Sequence, residues 1–113
     1  MNYNEHKNIK ILDELLSYCY SKGAKHMSMT LDTLEDSVIF HLECVVPHIE
    51  EKDLDALEKF LNTPRCHEME EYYWELTGDS DVSSELSLVG MMIDEAHINY
   101  DGNLLEVTVK RNI

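Results

Sequence analysis

Apolar side chains recur at spacings of three and four between about Asn4 and Lys22. This spacing predicts an amphipathic helix. Its expected apolar face consists of Ile9, Leu12, Leu15, Leu16 and Cys19. Gly23 follows at once, and a glycine in this place commonly ends a helix.

The next two segments alternate apolar and polar residues, which is the period of a β-strand. The first is His26–Thr33, with Met27, Met29 and Leu31 on one face. The second is Val38–Val45, where one face carries Val38, Phe40, Leu42 and Cys44, and the other carries Ile39, His41 and Glu43. The turn residues Leu34–Ser37 join them, so we expect an antiparallel hairpin with one face on the core.

Helical spacing returns after Pro47. We expect one helix over Glu50–Leu61 and another over about Arg65–Leu76, followed by a loop at Gly78–Asp81. Ser83 or Ser84 can cap a further helix that runs to about Ala96, on an apolar stripe of Leu86, Val89, Met92, Ile93 and Ala96. Gly90 interrupts this stripe and suggests close packing.

The C-terminal segment predicts a hairpin. His97–Tyr100 leads into Asp101-Gly102, a tight-turn dipeptide, and Asn103–Lys110 then alternates with Leu105, Val107 and Val109 facing inward. The whole order is helix, two strands, two or three helices, two strands. It predicts an α/β fold (an α+β sandwich) in a single domain over residues 1–113, with a mixed, mainly antiparallel sheet and helices on one face.

Charge narrows the choice of partner. The chain carries 23 acidic and 9 basic side chains, a formal net charge of -14. Such a surface repels phosphate backbones and anionic lipids, so we expect neither nucleic acid nor membrane binding. A protein partner, preferably basic, fits the charge better. The polar N-terminus and the three cysteines, Cys19, Cys44 and Cys66, are consistent with a reducing, cytoplasmic location.

The order of elements resembles that of the GHKL (Bergerat-fold) ATPase domain. The run Leu86–Ala96, which contains Asp94-Glu95, and the hairpin that ends at Arg111 look like the end of the anti-sigma-factor serine kinases. The helix around Ile11–Tyr20 is similar to the first motif helix of that family. The resemblance implies a GHKL-like fold and an ancestral nucleotide site.

The same resemblance implies that the nucleotide motifs are lost. Glu14 matches the family's catalytic Glu, but Tyr18 stands where the family has a magnesium-binding Asn, and a phenol is a poor ligand for a hard cation. Cys44, Val46 and His48 stand at the Asp and the two Gly of the adenine motif. The lid stretch, Asp81–Ser87, has no glycine to cradle phosphate. We therefore expect a vestigial pocket at Glu14, Tyr18, Cys44, Val46 and His48.

The spacing of cysteine, histidine, acidic and aromatic residues bears on two alternatives, a metal site and a protein interface. Cys44 with His48 could converge across a turn, and Cys66 with His67 are adjacent, but neither pair has the spacing of a strong metal site, so no metal is expected. Glu68–Glu75 mixes acids with three aromatics and suggests either an ordinary amphipathic helix or a protein-binding patch.

These observations lead to two main hypotheses of function, beside a third in which Cys44 and His48 bind a metal or a small ligand. The first is a non-catalytic, GHKL-like regulatory or protein-interaction domain with no cofactor and no catalytic residue. The alternative is an ATP- and Mg-dependent serine kinase or ATPase of the anti-sigma-factor type with unusual ligands, in which Glu14 would be the base.

Overall fold

The computed structural model describes residues 3–73 and 82–113, and this part of the chain contains four helices and four strands. In chain order they are α1 Tyr3–Ser21, β1 His26–Thr33, β2 Ser37–Val45, α2 Glu51–Leu61, α3 His67–Tyr73, α4 Val82–Gly90, β3 Glu95–Asp101 and β4 Leu104–Asn112. The order is the predicted one, with three helices between the two strand pairs.

The strands form one antiparallel sheet in the order β1-β2-β4-β3. Alternation in β2 and β4 puts one face of the sheet on the core, while the opposite face is half-buried or exposed. We call the first the inner face and the second the outer face. The predicted inward residues of these two strands are confirmed, and so is the α/β fold class. The two hairpins are brought together because β2 and β4, whose inner positions are buried and apolar over most of their length, pair at the centre of the sheet.

Helices α1, α2 and α4 supply the other half of the core. Ile11 and Leu15 of α1, Leu57 and Leu61 of α2 and Val89 of α4 are all at most 2% exposed. None of the described helices has the length and apolar character that crossing a bilayer requires.

Gly90 marks a close approach of α4 to α2. A Cβ at this position would lie 2.2 Å from the carbonyl oxygen of Phe60. A side chain there would force a backbone shift, so the predicted close packing is confirmed.

The predicted extent of the last helix is wrong. Helix α4 ends at Gly90, and a turn over Met91 and Met92 leads into β3, which contains Ala96. The apolar stripe of the sequence continues past the end of the helix because Met92 and Ile93 are also buried, in the turn that follows α4. Backbone pairing decides the boundary, since the Asp94 amide donates to the Lys110 carbonyl at 2.8 Å.

Ser83 and Ser84 were expected to cap this helix. They lie inside α4, which includes Val82, so neither is the residue that precedes it. The predicted loop Gly78–Asp81 and the predicted helix end at Leu76 lie outside the described residues.

Two further predictions need correction. The tight turn consists of Gly102 and Asn103, because Asp101 still pairs with Leu104 across the hairpin. On α1, the residues facing the core include Ile11, Leu15 and Cys19, whereas Ile9 is 50% exposed. The apolar positions of α1 therefore form two stripes, and the second one points away from the core.

Candidate functional site

Glu14 and Tyr18 lie one turn apart on the buried side of α1. Glu14 is paired with Lys10, whose Nζ lies 3.2 Å from Glu14 Oε1. The Tyr18 ring packs in the core, with the Lys22 ammonium 5.6 Å from its centroid. Burial raises the pKa of Tyr18 to about 12, and the nearby charge of Asp53 acts in the same direction. At neutral pH this phenol therefore stays protonated.

Cys44 and Val46 are also core residues, at 0% exposure each. The Cys44 thiol donates to Cys19 Sγ at 3.2 Å, and the backbone carbonyl of Val46 accepts a hydrogen bond from the Tyr100 hydroxyl at 2.7 Å. Burial raises the pKa of the Cys19 thiol, so both sulfurs are inert in the reduced protein. Three of the five residues of the predicted vestigial pocket, Tyr18, Cys44 and Val46, thus belong to the hydrophobic core.

His48 is exposed, in the loop before α2, while Cys44 is fully buried beside Cys19. This arrangement does not support a metal site at Cys44 and His48. Cys66 is half-buried and His67 is exposed at the start of α3. Neither cysteine is part of a metal-ligating group of three or more side chains among the described residues.

The acidic and aromatic segment Glu68–Glu75 is described only as far as Tyr73, and Trp74 and Glu75 lie outside the described residues. Among residues 68–71, for which burial is described, the buried residue is Glu70, which is 3% exposed. Arg111 donates to both of its carboxylate oxygens, at 2.7 and 3.0 Å, and Lys7 Nζ donates to Oε2 at 3.0 Å. Arg65 Nη2 adds a bond of 3.3 Å.

This Glu70 cluster joins α1, α3 and β4. Burial alone would raise the pKa of Glu70, but the hydrogen bonds and charges of Arg111 and Lys7 lower it to about 2. The cluster is structural, because each of its charged groups faces an oppositely charged partner within the described residues. Sequence reasoning missed it, since Arg111 reads as the polar end of a strand.

Among the described residues, a concave surface that carries apolar side chains lies between α1 and β1. A cavity of about 440 Å³ is lined by apolar side chains of both elements, namely Ile9, Leu12, Leu16 and Met29, and by His6, Lys10 and Asp13 of α1. A second one of about 260 Å³ is lined by Ile9 and Leu31 together with Glu5, Asn8 and Thr33. Ile9 borders both, and we call them together the α1–β1 groove.

The groove exists because α1 packs above β2 and α4 and leaves the inner face of β1 uncovered. Met27 and Met29 are only partly buried, and Leu31 is 37% exposed. The signal in the sequence was the Ile9, Leu12 and Leu16 stripe, which was assigned to the core.

Strand β1 also forms an edge of the sheet. Its eight residues pair with β2 from His26↔Val45 to Thr33↔Val38 without a bulge. No other described strand pairs with its opposite edge. The backbone groups of alternate residues on that edge are therefore available for hydrogen bonding.

Comparison with known proteins adds no relative. No protein-family model matches the chain, and no curated protein matches it in sequence. The GHKL resemblance stays a prediction.

Proposed function

We propose that this protein is a non-catalytic protein-interaction domain that binds an extended segment of a basic partner protein. The segment adds a strand to the outer edge of β1 and places its apolar side chains in the α1–β1 groove. Main-chain hydrogen bonds supply affinity in this mode of recognition, and pockets for alternate side chains supply specificity.

The observation that carries the proposal is the unprotected character of β1. Soluble proteins usually protect an edge strand with lysine, proline, a bulge or a short length. Strand β1 has eight residues, a continuous register and neither lysine nor proline. Asp32, near its end, is its one Asp, Glu, Lys or Arg residue.

The groove next to this edge fits every second side chain of an added strand. Side chains that point to the inner side of the sheet would meet Ile9, Leu12 and Leu16 of α1. Those that point to the outer side would pass Asp32, which lies on the outer face of β1. A partner segment that alternates apolar and basic residues would place its apolar side chains in the groove and its basic side chains on the outer side.

Charge also argues against a second copy of the same chain as the occupant. Two chains of formal net charge -14 repel each other, whereas a basic partner is attracted and guided to the site. Lys10 lines the groove as well, but its ammonium is paired with Glu14.

The burial of Tyr18, Cys44 and Val46 supports the non-catalytic part of the proposal. If the GHKL resemblance reflects ancestry, these side chains occupy positions that the family uses for magnesium and adenine. The simplest check is thermal unfolding with and without Mg-ATP. The proposal predicts no shift, and a clear rise in melting temperature would favour the kinase or ATPase alternative with Glu14 as base.

The binding proposal is tested by affinity capture from cells that naturally contain the protein, followed by mass spectrometry. Wild type is compared with Ile9→Ser in the groove and with Leu34→Ser in the β1–β2 turn. Leu34 is a matched control for Ile9, because both residues are apolar and they are 48% and 50% exposed, respectively.

A basic protein that is captured by wild type and Leu34→Ser but not by Ile9→Ser supports the proposal. Equal capture by all three proteins contradicts it. Association of the chain with itself through this site would also contradict the proposal. Light scattering would then detect a dimer that Ile9→Ser abolishes.

A further inference from the structure

We propose a second site on the outer face of the sheet, where His41, Glu43 and Glu106 bind a divalent transition-metal ion of the Zn²⁺ type. The proposal is independent of the partner-binding groove, which lies on the opposite side of the sheet.

Strand pairing brings the three side chains together. His41 and Glu43 are two residues apart on β2, so their side chains share the outer face. Glu106 of β4 is directly opposite Glu43 in the register. One ligand atom from each of the three residues lies within 4.8 Å of the other two. Small rotations of the two glutamates would bring these atoms to the spacing of ligands around one ion.

The imidazole of His41 is held in place from both sides. Its Nε2 lies 3.1 Å from Glu43 Oε1, and its Nδ1 lies 2.8 Å from Thr108 Oγ1. An ionised carboxylate has no proton to give, so Nε2–H donates to Glu43. In the neutral imidazole Nδ1 is then an acceptor, and the Thr108 hydroxyl donates to it.

A metal on Nε2 needs the other tautomer of His41. The proton then resides on Nδ1 and donates to Thr108 Oγ1, so His41 loses no net proton. A second hydrogen bond of this kind is a regular feature of histidine ligands. Thr108 therefore serves as the orienting partner in either state.

The electrostatics favour a cation between the two glutamates. Like charges directly opposite each other on a sheet are destabilising. Within the described residues, no lysine or arginine lies within salt-bridge distance of Glu43 or Glu106. Lys110 is on the same face, but its partner across the strands is Glu95.

The donor set selects the class of ion. One imidazole nitrogen and two carboxylates suit Zn²⁺ and related transition metals better than Mg²⁺ or Ca²⁺, which prefer oxygen ligands alone. Three half-exposed protein ligands also leave coordination positions to water.

The experiment is calorimetric titration of the untagged, chelator-treated protein with ZnCl₂, repeated with MgCl₂. Wild type is compared with His41→Ala, with Glu106→Gln and with two controls. Glu95→Gln removes a carboxylate from the same face outside the cluster, and Cys66→Ser removes the most accessible thiol. Circular dichroism verifies that each variant is folded.

We expect one saturable Zn²⁺ site in wild type and both controls, no comparable site for Mg²⁺, and at least about tenfold weaker Zn²⁺ binding in His41→Ala and Glu106→Gln. Absence of saturable Zn²⁺ binding overturns the proposal. Binding that Glu106→Gln leaves unchanged, or that Cys66→Ser abolishes, overturns it as well.

Discussion

Two groups of carboxylates in this protein have opposite surroundings. Glu70 is buried and is contacted by Lys7, Arg65 and Arg111, three of the chain's nine basic side chains. Glu43 and Glu106 face each other on the outer face, and the described side chain within salt-bridge distance of Glu43 is His41.

The difference shows which carboxylates of an acidic chain need positively charged partners. A buried carboxylate must be paired, because an unpaired buried charge costs several kcal/mol. A half-exposed one is solvated and tolerates a like-charged neighbour at small cost. A third of the basic residues, including both arginines, are therefore placed at the interior cluster, and much of the surface is left acidic and suited to cations or basic partners.

The largest effect is expected from removing the charge of Glu70. In Glu70→Gln the guanidinium of Arg111, which is 2% exposed, stays buried without its counter-charge. Breaking one side of a buried pair costs about 3–5 kcal/mol of unfolding free energy. Urea unfolding measures this loss.

Glu71→Gln is the matched control for that substitution. The Glu71 side chain is 63% exposed, and Lys7 keeps its pairing with Glu70 when the charge of Glu71 is removed, so we expect a loss of about 1 kcal/mol or less. Equal losses in the two variants would remove the distinction between the buried and the exposed carboxylate.

The second expected effect concerns acid. The pKa of Glu70 is lowered from 4.5 to about 2 in the folded protein. Its contribution to stability is therefore fully present above the unfolded-state pKa and is lost as the pH falls through the folded-state value. The difference in urea midpoint between wild type and Glu70→Gln should shrink between pH 5 and pH 2. A difference that stays constant over this range would show that Glu70 is not held ionised.

The smallest effect is a gain in stability. Glu106→Gln removes the repulsion with Glu43 and should stabilise the metal-free protein by about 0.2–1 kcal/mol at low salt. Added NaCl should reduce the gain, because salt screens exposed charges. The comparison variant is Glu95→Gln, and a larger gain there would place the main repulsion elsewhere on the outer face.

The strands were predictable because their alternation has one interpretation. The bounds predicted for β1 are those observed, and the inward residues of β2 and β4 follow from period two. The end of α4 was not predictable in this way, because Met92 and Ile93 are apolar at positions that suit a helix and a buried turn equally. Backbone pairing of Asp94 with Lys110 decides between them, and this is a contact between distant elements.

The candidate sites depend on register and packing, which a single sequence does not specify. Glu43 meets Glu106 only because β2 pairs with β4 at one particular register. Arg111 meets Glu70 only because α3 packs against the end of β4. Ile9 belongs to an apolar stripe, and the position of α1 above β2 decides that it borders a groove and not the core.

The most direct test of the central claim is the affinity of the captured basic partner for wild type, Ile9→Ser and Leu34→Ser, measured by calorimetry at low and at physiological salt. We expect that Ile9→Ser weakens binding by about tenfold or more and that Leu34→Ser does not. Added salt should weaken binding to wild type, because it screens the attraction between the acidic surface and the basic partner. Equal affinities for the two variants would contradict the assignment of the α1–β1 groove as the binding surface.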